Sequence, residues 1–126
     1  MTMKKINSKK KGGRGEREWA KYCRDHGFKD VRRSQQYCGN NPDASDCVGL
    51  PRIYQEVKYC ETLNIRIALE KAQEDAGANI PTIAHRKKRK EWMVTMCAQD
   101  WFGFYSTWLE WSNKIDELIG LDDDED

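Results

Sequence analysis

Ser45-Asp46-Cys47-Val48-Gly49-Leu50, followed across Pro51-Arg52 by Ile53-Tyr54-Gln55-Glu56-Val57-Lys58, puts an acid at the start of one short apolar run and Glu-x-Lys on the next. Gly49-Leu50-Pro51-Arg52 has the composition of a hairpin connection, which makes the two runs neighbouring strands. Side chains two apart on a strand share a face, so Glu56 and Lys58 point together. Asp46 and Glu56 offer the hard oxygen ligands that Mg2+ takes in preference to nitrogen or sulfur. Lys58 would then hold or polarise a water beside the same ion. The plainer reading makes Ile53 to Lys58 an amphipathic strand with Ile53, Gln55 and Val57 on one face and Tyr54, Glu56 and Lys58 solvated on the other. Alternation of period two fits both readings, and a basic segment carrying a further acid upstream favours the first, a metal-dependent phosphodiesterase site.

At 126 residues and 34% charged, the chain is expected to form one globular domain with a modest core. No apolar run approaches the roughly 20 residues that cross a bilayer, and Met1 to Lys11 lacks the apolar stretch of a secretory signal, so the expected address is the cytoplasm. Cys23, Cys38, Cys47, Cys60 and Cys97 form an odd set without a Cys-x-x-Cys pair, and only His26 and His85 accompany them. A zinc site is not expected, and reduced, mostly buried thiols are. The net charge of +1 conceals an asymmetry: residues 1 to 33 hold twelve Lys or Arg against four acids, whereas residues 110 to 126 hold eight acids against Lys114. The basic end suits a polyanion and the acidic end repels one.

Along the chain, residues 1 to 13 read as a basic arm, residues 14 to 119 as the folded domain and residues 120 to 126 as a disordered acidic tail. A helix is expected over Gly15 to His26 with Trp19, Ala20 and Cys23 on one face and Gly27 as its stop. Strands are expected over Phe28 to Gln36, Asp46 to Leu50 and Arg52 to Tyr59, with Gly39-Asn40-Asn41-Pro42 as a loop. Ile65, Ala68, Leu69, Ala72 and Ala76 recur at helical spacing over Asn64 to Ala76, ahead of Gly77. Ile80 to His85 and Trp92 to Met96 make two more strands, joined by the basic turn Arg86-Lys87-Lys88-Arg89-Lys90, which is either a phosphate contact or a solvated hairpin tip. Asp100 is a candidate N-cap for a last helix over Trp101 to Ile119. Its aromatic stripe is expected to be core rather than a base-stacking platform, and part of it could equally be a subunit interface. Gly12-Gly13-Arg14-Gly15 lacks the flanking residues of a P-loop.

The order Gly12-x-x-x-Glu16-Arg17, Gly27-Phe28, Arg32-Arg33-Ser34, Ser45-Asp46 and Glu56-Val57-Lys58 resembles the archaeal-type Holliday junction resolvases of the PD-(D/E)xK nuclease superfamily, and the small resolvase-like endonucleases of phages. The resemblance covers about residues 8 to 106. It implies a restriction-endonuclease-like α/β core, a mixed β-sheet flanked by helices, and a two-fold homodimer that presents two sites to branched DNA, a four-way junction. Its helix-borne acid falls on Glu16, its motif aspartate on Asp46, and its Glu-x-Lys on Glu56 and Lys58. Ser34, near the position of a family serine, belongs to the DNA-contacting set, and Gln73 and Asp43 are auxiliary positions. Ser45 stands where the family usually has proline, and Pro42-Asp43 offers a competing Pro-Asp; Asp46 is preferred because the apolar run Cys47 to Leu50 begins directly after it.

The chemistry implied is hydrolysis of a DNA phosphodiester by an activated water, with Mg2+, for which Mn2+ substitutes, on Asp46, Glu56 and, directly or through water, Glu16. Arg14, Arg17, Arg32, Arg33, Arg86, Lys87, Lys88 and Arg89 would contact phosphates without reading sequence. Two other readings stand beside it: a nucleic-acid-binding module without catalysis, and a nicking, flap or RNA-directed nuclease with the same site. The aromatic last helix adds a further partner, another protein of a phage replication or packaging system.

Overall fold

The computed structural model describes residues 8 to 34 and 45 to 123, and divides the chain into two compact units, Met1–Met96 and Cys97–Asp126. The first unit is α/β. Its elements are α1 (Ser8–Asp25), β1 (Arg32–Arg33), β2 (Cys47–Val48), β3 (Ile53–Tyr59), α2 (Ile65–Asp75), β4 (Ile80–Arg86) and β5 (Met93–Met96). The five strands form one mixed sheet in sequence order, with β3 and β4 parallel and the other neighbours antiparallel. Parallel neighbours need a crossover, and α2 supplies it. No helix among the described residues is long and apolar enough to cross a membrane.

Both faces of the sheet are covered. On one, Trp19, Ala20 and Cys23 of α1 pack with Val31, Cys47, Val57 and Ala84. On the other, Ala72 and Ala76 pack with Tyr54 and Ile83, flanked by Ile65, Ala68 and Leu69. The alternation along β3 thus sends Gln55, Val57 and Tyr59 toward α1, and Tyr54, Glu56 and Lys58 toward the α2 side. Gln55 is fully buried, and its Oε1 accepts from Trp19 Nε1 at 2.8 Å.

α1 starts at Ser8, so residues 8 to 13, expected in the arm, are helical. Gly13 and Gly15 are buried on it. A Cβ on Gly15 would stand 2.6 Å from Cβ of Tyr59, so the missing side chain is what lets the helix backbone approach β3. Of the strand expected over Phe28 to Gln36, Arg32–Arg33 is strand, a turn closed by Val31 N donating to the Phe28 carbonyl at 3.3 Å occupies its start, and residues 35 and 36 lie outside the described residues. Asp46 falls just before β2, and the β2–β3 connection turns at Gly49 with φ +107° and Arg52 with φ +69°. A side chain at position 49 would collide with the Asp30 carbonyl, which together with the positive φ requires glycine there.

Asn64 caps α2 by accepting from Ile67 N at 3.2 Å, and Gly77 at φ +58° follows its Ala76 cap. β4 extends one residue further than expected and takes in Arg86, leaving Lys87 to Lys90 as the turn.

The second unit is a single helix, α3 (Ala98–Asp123). Asp100 lies inside its first turn rather than capping it. Helix continues to Asp123, into the segment expected to be a disordered tail. The expectation that its aromatic stripe is core fails: Trp101, Phe104, Tyr105, Trp108, Trp111, Ile115 and Leu118 are all exposed. Periodicity reports that a helix has an apolar face and is silent about what covers it.

Candidate active site

Asp46 ends the β2 ladder with both its backbone and its side chain. Its N–H donates to the Gln55 carbonyl at 2.9 Å, and its Oδ2 accepts from Val57 N at 2.9 Å. The carboxylate therefore occupies the place the next strand carbonyl would take, level with residues 55 to 57 of β3. Ser34 supports this arrangement from β1's end: its N–H donates to the Asp46 carbonyl at 3.0 Å, and its Oγ donates to the Ser45 carbonyl.

Glu56 stands beside Asp46 and is mostly buried, its side chain 18% exposed. Burial, and secondarily the Asp46 charge, push its carboxyl up to about 7 against the opposing pull of Lys58 and Lys71. Lys58 Nζ is 3.9 Å from Glu56 Oε2, and Tyr54 Oη is 3.4 Å from Glu56 Oε1. Tyr54 and Lys71 are site neighbours that sequence reasoning missed. Tyr54 lies at i−2 from Glu56 on the same strand face, which was legible; Lys71 reaches the site through the packing of α2, which was not. The solvated alternative for Tyr54, Glu56 and Lys58 does not hold, since Tyr54 is buried and Glu56 nearly so.

Glu16 is the third acid. It projects from α1 and is bound by Arg33, whose Nε donates to its Oε2 at 2.7 Å. Burial raises its pKa, the Arg33 hydrogen bond lowers it, and the Asp46 charge raises it again. Asp46 thus acts electrostatically on both glutamates, Glu16 and Glu56. Among the described residues no three His, Cys, Asp or Glu side chains gather into a group that could hold a metal ion. Asp46 is thus the acid common to both glutamates, and Glu16 is in addition bound by Arg33.

The donor set still fits a hard divalent cation. Two carboxylates lie close enough for one to raise the other, and a cation between them removes that repulsion. Water and phosphate oxygens fill the remaining positions of an ion that keeps several waters in any case.

Of the remaining predicted residues, Arg14 pairs with Glu18 at 3.1 Å, Arg17 and Arg32 are exposed, and Gln73 is exposed on α2. Arg86 is not in the basic turn: its guanidinium is 3.6 Å from Glu18 and lies over the Trp92 ring. Lys87, Lys88 and Arg89 are exposed in the turn. A cavity of about 460 Å3 opens beside that turn, lined by Cys60, Leu63, His85, Lys87 and Lys90 among others. His85 is the register partner of Lys58, so the cavity adjoins the strand that carries the Glu-x-Lys. Asp43 lies outside the described residues, as does Cys38; the four described cysteines are free thiols. No family model, curated protein or solved structure matches the chain.

Proposed function

We propose that this chain is a metal-dependent, structure-specific DNA endonuclease with a restriction-endonuclease-like core, resolving four-way junctions by paired nicks as a homodimer in the cytoplasm. The observation that supports it most is the half-buried Asp46–Glu56 pair with Lys58 on the same strand face as Glu56. The Asp46 charge adds to burial in holding the Glu56 carboxyl up, a perturbation that costs stability and suits function.

Asp46 and Glu56 would hold Mg2+, or Mn2+ in its place, with Glu16 joining directly or through water once Arg33 yields it. The ion supplies Lewis acidity toward the phosphate and lowers the pKa of water. Lys58 orients the attacking water and adds positive potential where the phosphate gains charge. The water oxygen bonds to phosphorus as the opposite P–O bond breaks, leaving a phosphomonoester end and a free hydroxyl. Arg17, Arg32 and the turn Lys87 to Lys90 position the strands through phosphates and read no sequence.

Cleavage of a labelled four-way junction, beside flap, linear duplex, single-strand and RNA controls, with Mg2+ or EDTA, tests the reading. Paired symmetric nicks lost in EDTA and in Glu56→Ala are expected. Cutting of every substrate removes the junction claim and keeps the nuclease; binding without cutting in any condition leaves a non-catalytic module.

A further inference from the structure

Within α3, Trp101, Phe104, Trp108, Trp111, Ile115 and Leu118 follow a strict 3-4-3-4-3 spacing, the a and d positions of three heptads. All six are exposed, between 45% and 68%. Polar residues Ser106, Glu110, Asn113 and Glu117 take the opposite side of the helix, which they share with the exposed Phe102 and Leu109. The aromatic rings are already ordered against each other: Tyr105 stacks on Trp101 at 5.3 Å and on Trp108 at 6.0 Å, and Lys114 lies over Trp111 at 5.5 Å. An ordered stripe loses less freedom on association than a loose one.

We infer that α3 is a self-association element that pairs antiparallel with α3 of a second copy of this chain. Two arguments fix the occupant. The first is charge. α3 carries six acids against Lys114, which repels nucleic acid and anionic lipid. Four of those acids, Asp116, Glu117, Asp122 and Asp123, lie in its last eight residues, whereas Trp101 to Leu109 carries no charge. A parallel pair sets the acidic ends side by side. An antiparallel pair sets each against the uncharged half of its partner, with Trp101 opposite Leu118, Phe104 opposite Ile115, and Trp108 opposite Trp111 around the two-fold axis.

The second argument is area. A buried aromatic side chain covers about 150–250 Å2, so six large side chains at about half exposure offer roughly 100 Å2 each. That amounts to about 600 Å2 per copy and about 1,200 Å2 per pair, the lower bound of a specific interface. The seam is about 26 Å long at 1.5 Å per residue, and its six a and d positions form three distinct layers, each repeated by the two-fold axis. This inference names an interface for the homodimer proposed above and is argued from α3 alone, without the catalytic residues.

Sedimentation equilibrium of the full chain between about 1 and 100 μM tests it. The expected mass is twice the 14.8 kDa of the chain. Trp108→Glu with Trp111→Glu, and separately Ile115→Lys, should weaken association at least 100-fold, while Ser106→Glu on the polar side leaves it within twofold; circular dichroism verifies that each variant is folded. Paired spin labels in place of Gln99 should lie on the order of 30 Å apart in the antiparallel arrangement, against about 15 Å or less in a parallel one. A monomer at every concentration, a larger assembly, a dimer indifferent to the seam variants, or the short distance overturns the proposal. The readout is mass and distance rather than cleavage, so a monomer overturns this inference and the homodimer, while the metal-dependent site stands or falls on the cleavage assay.

Discussion

Replacing Glu56 by Gln should stabilise the metal-free protein at pH 8 and hardly affect it at pH 5. The carboxyl rises from its ordinary 4.5 to about 7, first through burial and then through Asp46. A group whose folded pKa exceeds its unfolded value supports folding fully below the unfolded value and loses that support as pH rises through the folded one. At about 1.4 kcal/mol per pH unit, the ceiling on the loss is about 3 kcal/mol. Asp46 and Glu56 share the repulsion, so the realised gain is about 1 to 2 kcal/mol at pH 8, shrinking to a few tenths at pH 5. The Lys58 contact that Gln forgoes is half exposed and worth little. Urea unfolding in EDTA at the two pH values, comparing wild type with Glu56→Gln, reads this directly. Millimolar Mg2+ should then raise the wild-type midpoint at pH 8 and leave that of Glu56→Gln unmoved. A Gln variant that is destabilised equally at both pH values would show that Glu56 is an ordinary structural acid and refute the reasoning.

Three further outcomes follow from the packing. Gly15→Ala should lower stability by about 1–3 kcal/mol in thermal melts, because its Cβ meets that of Tyr59, whereas Gly12→Ala, with open space around it, should raise stability by about 0.5–1 kcal/mol. Trp19→Phe should cost about 1–3 kcal/mol by leaving Gln55, whose Nε2 already lacks a partner among the described residues, without its remaining hydrogen bond; adding Gln55→Met should recover part of that loss, which a double-mutant cycle measures. Burial pushes the Cys23 thiol up to about 11 and the Cys47 thiol up to about 12, so alkylation of the native protein at pH 8 followed by peptide mass mapping should find both unmodified and Cys60 labelled.

Much of the sheet was legible because its punctuation is chemical. Gly49 with Pro51-Arg52 gave the β2–β3 turn, Asn64 and Gly77 gave the ends of α2, and the β-branched and aromatic residues of Ile53 to Tyr59 gave β3. The start of α1 was hidden because glycines that serve close approach look, in sequence, like glycines that break a helix. At the candidate site, the Glu56–Lys58 pairing on one face follows from strand alternation alone. What placed Asp46 was invisible: its carboxylate caps Val57 N, eleven residues away. The Glu16–Arg33 pair, seventeen residues apart, was equally out of reach. The exposure of α3 escaped for a different reason, since an apolar stripe has the same pattern whether its cover is the same chain or another.

Binding and cleavage of one labelled four-way junction by wild type and Asp46→Asn, measured in Mg2+ on the same preparation, test the central claim most directly. The account predicts that binding stays within about twofold while cleavage falls at least 100-fold. Cleavage that persists in Asp46→Asn, or a wild type that binds the junction and never cuts it, would contradict it.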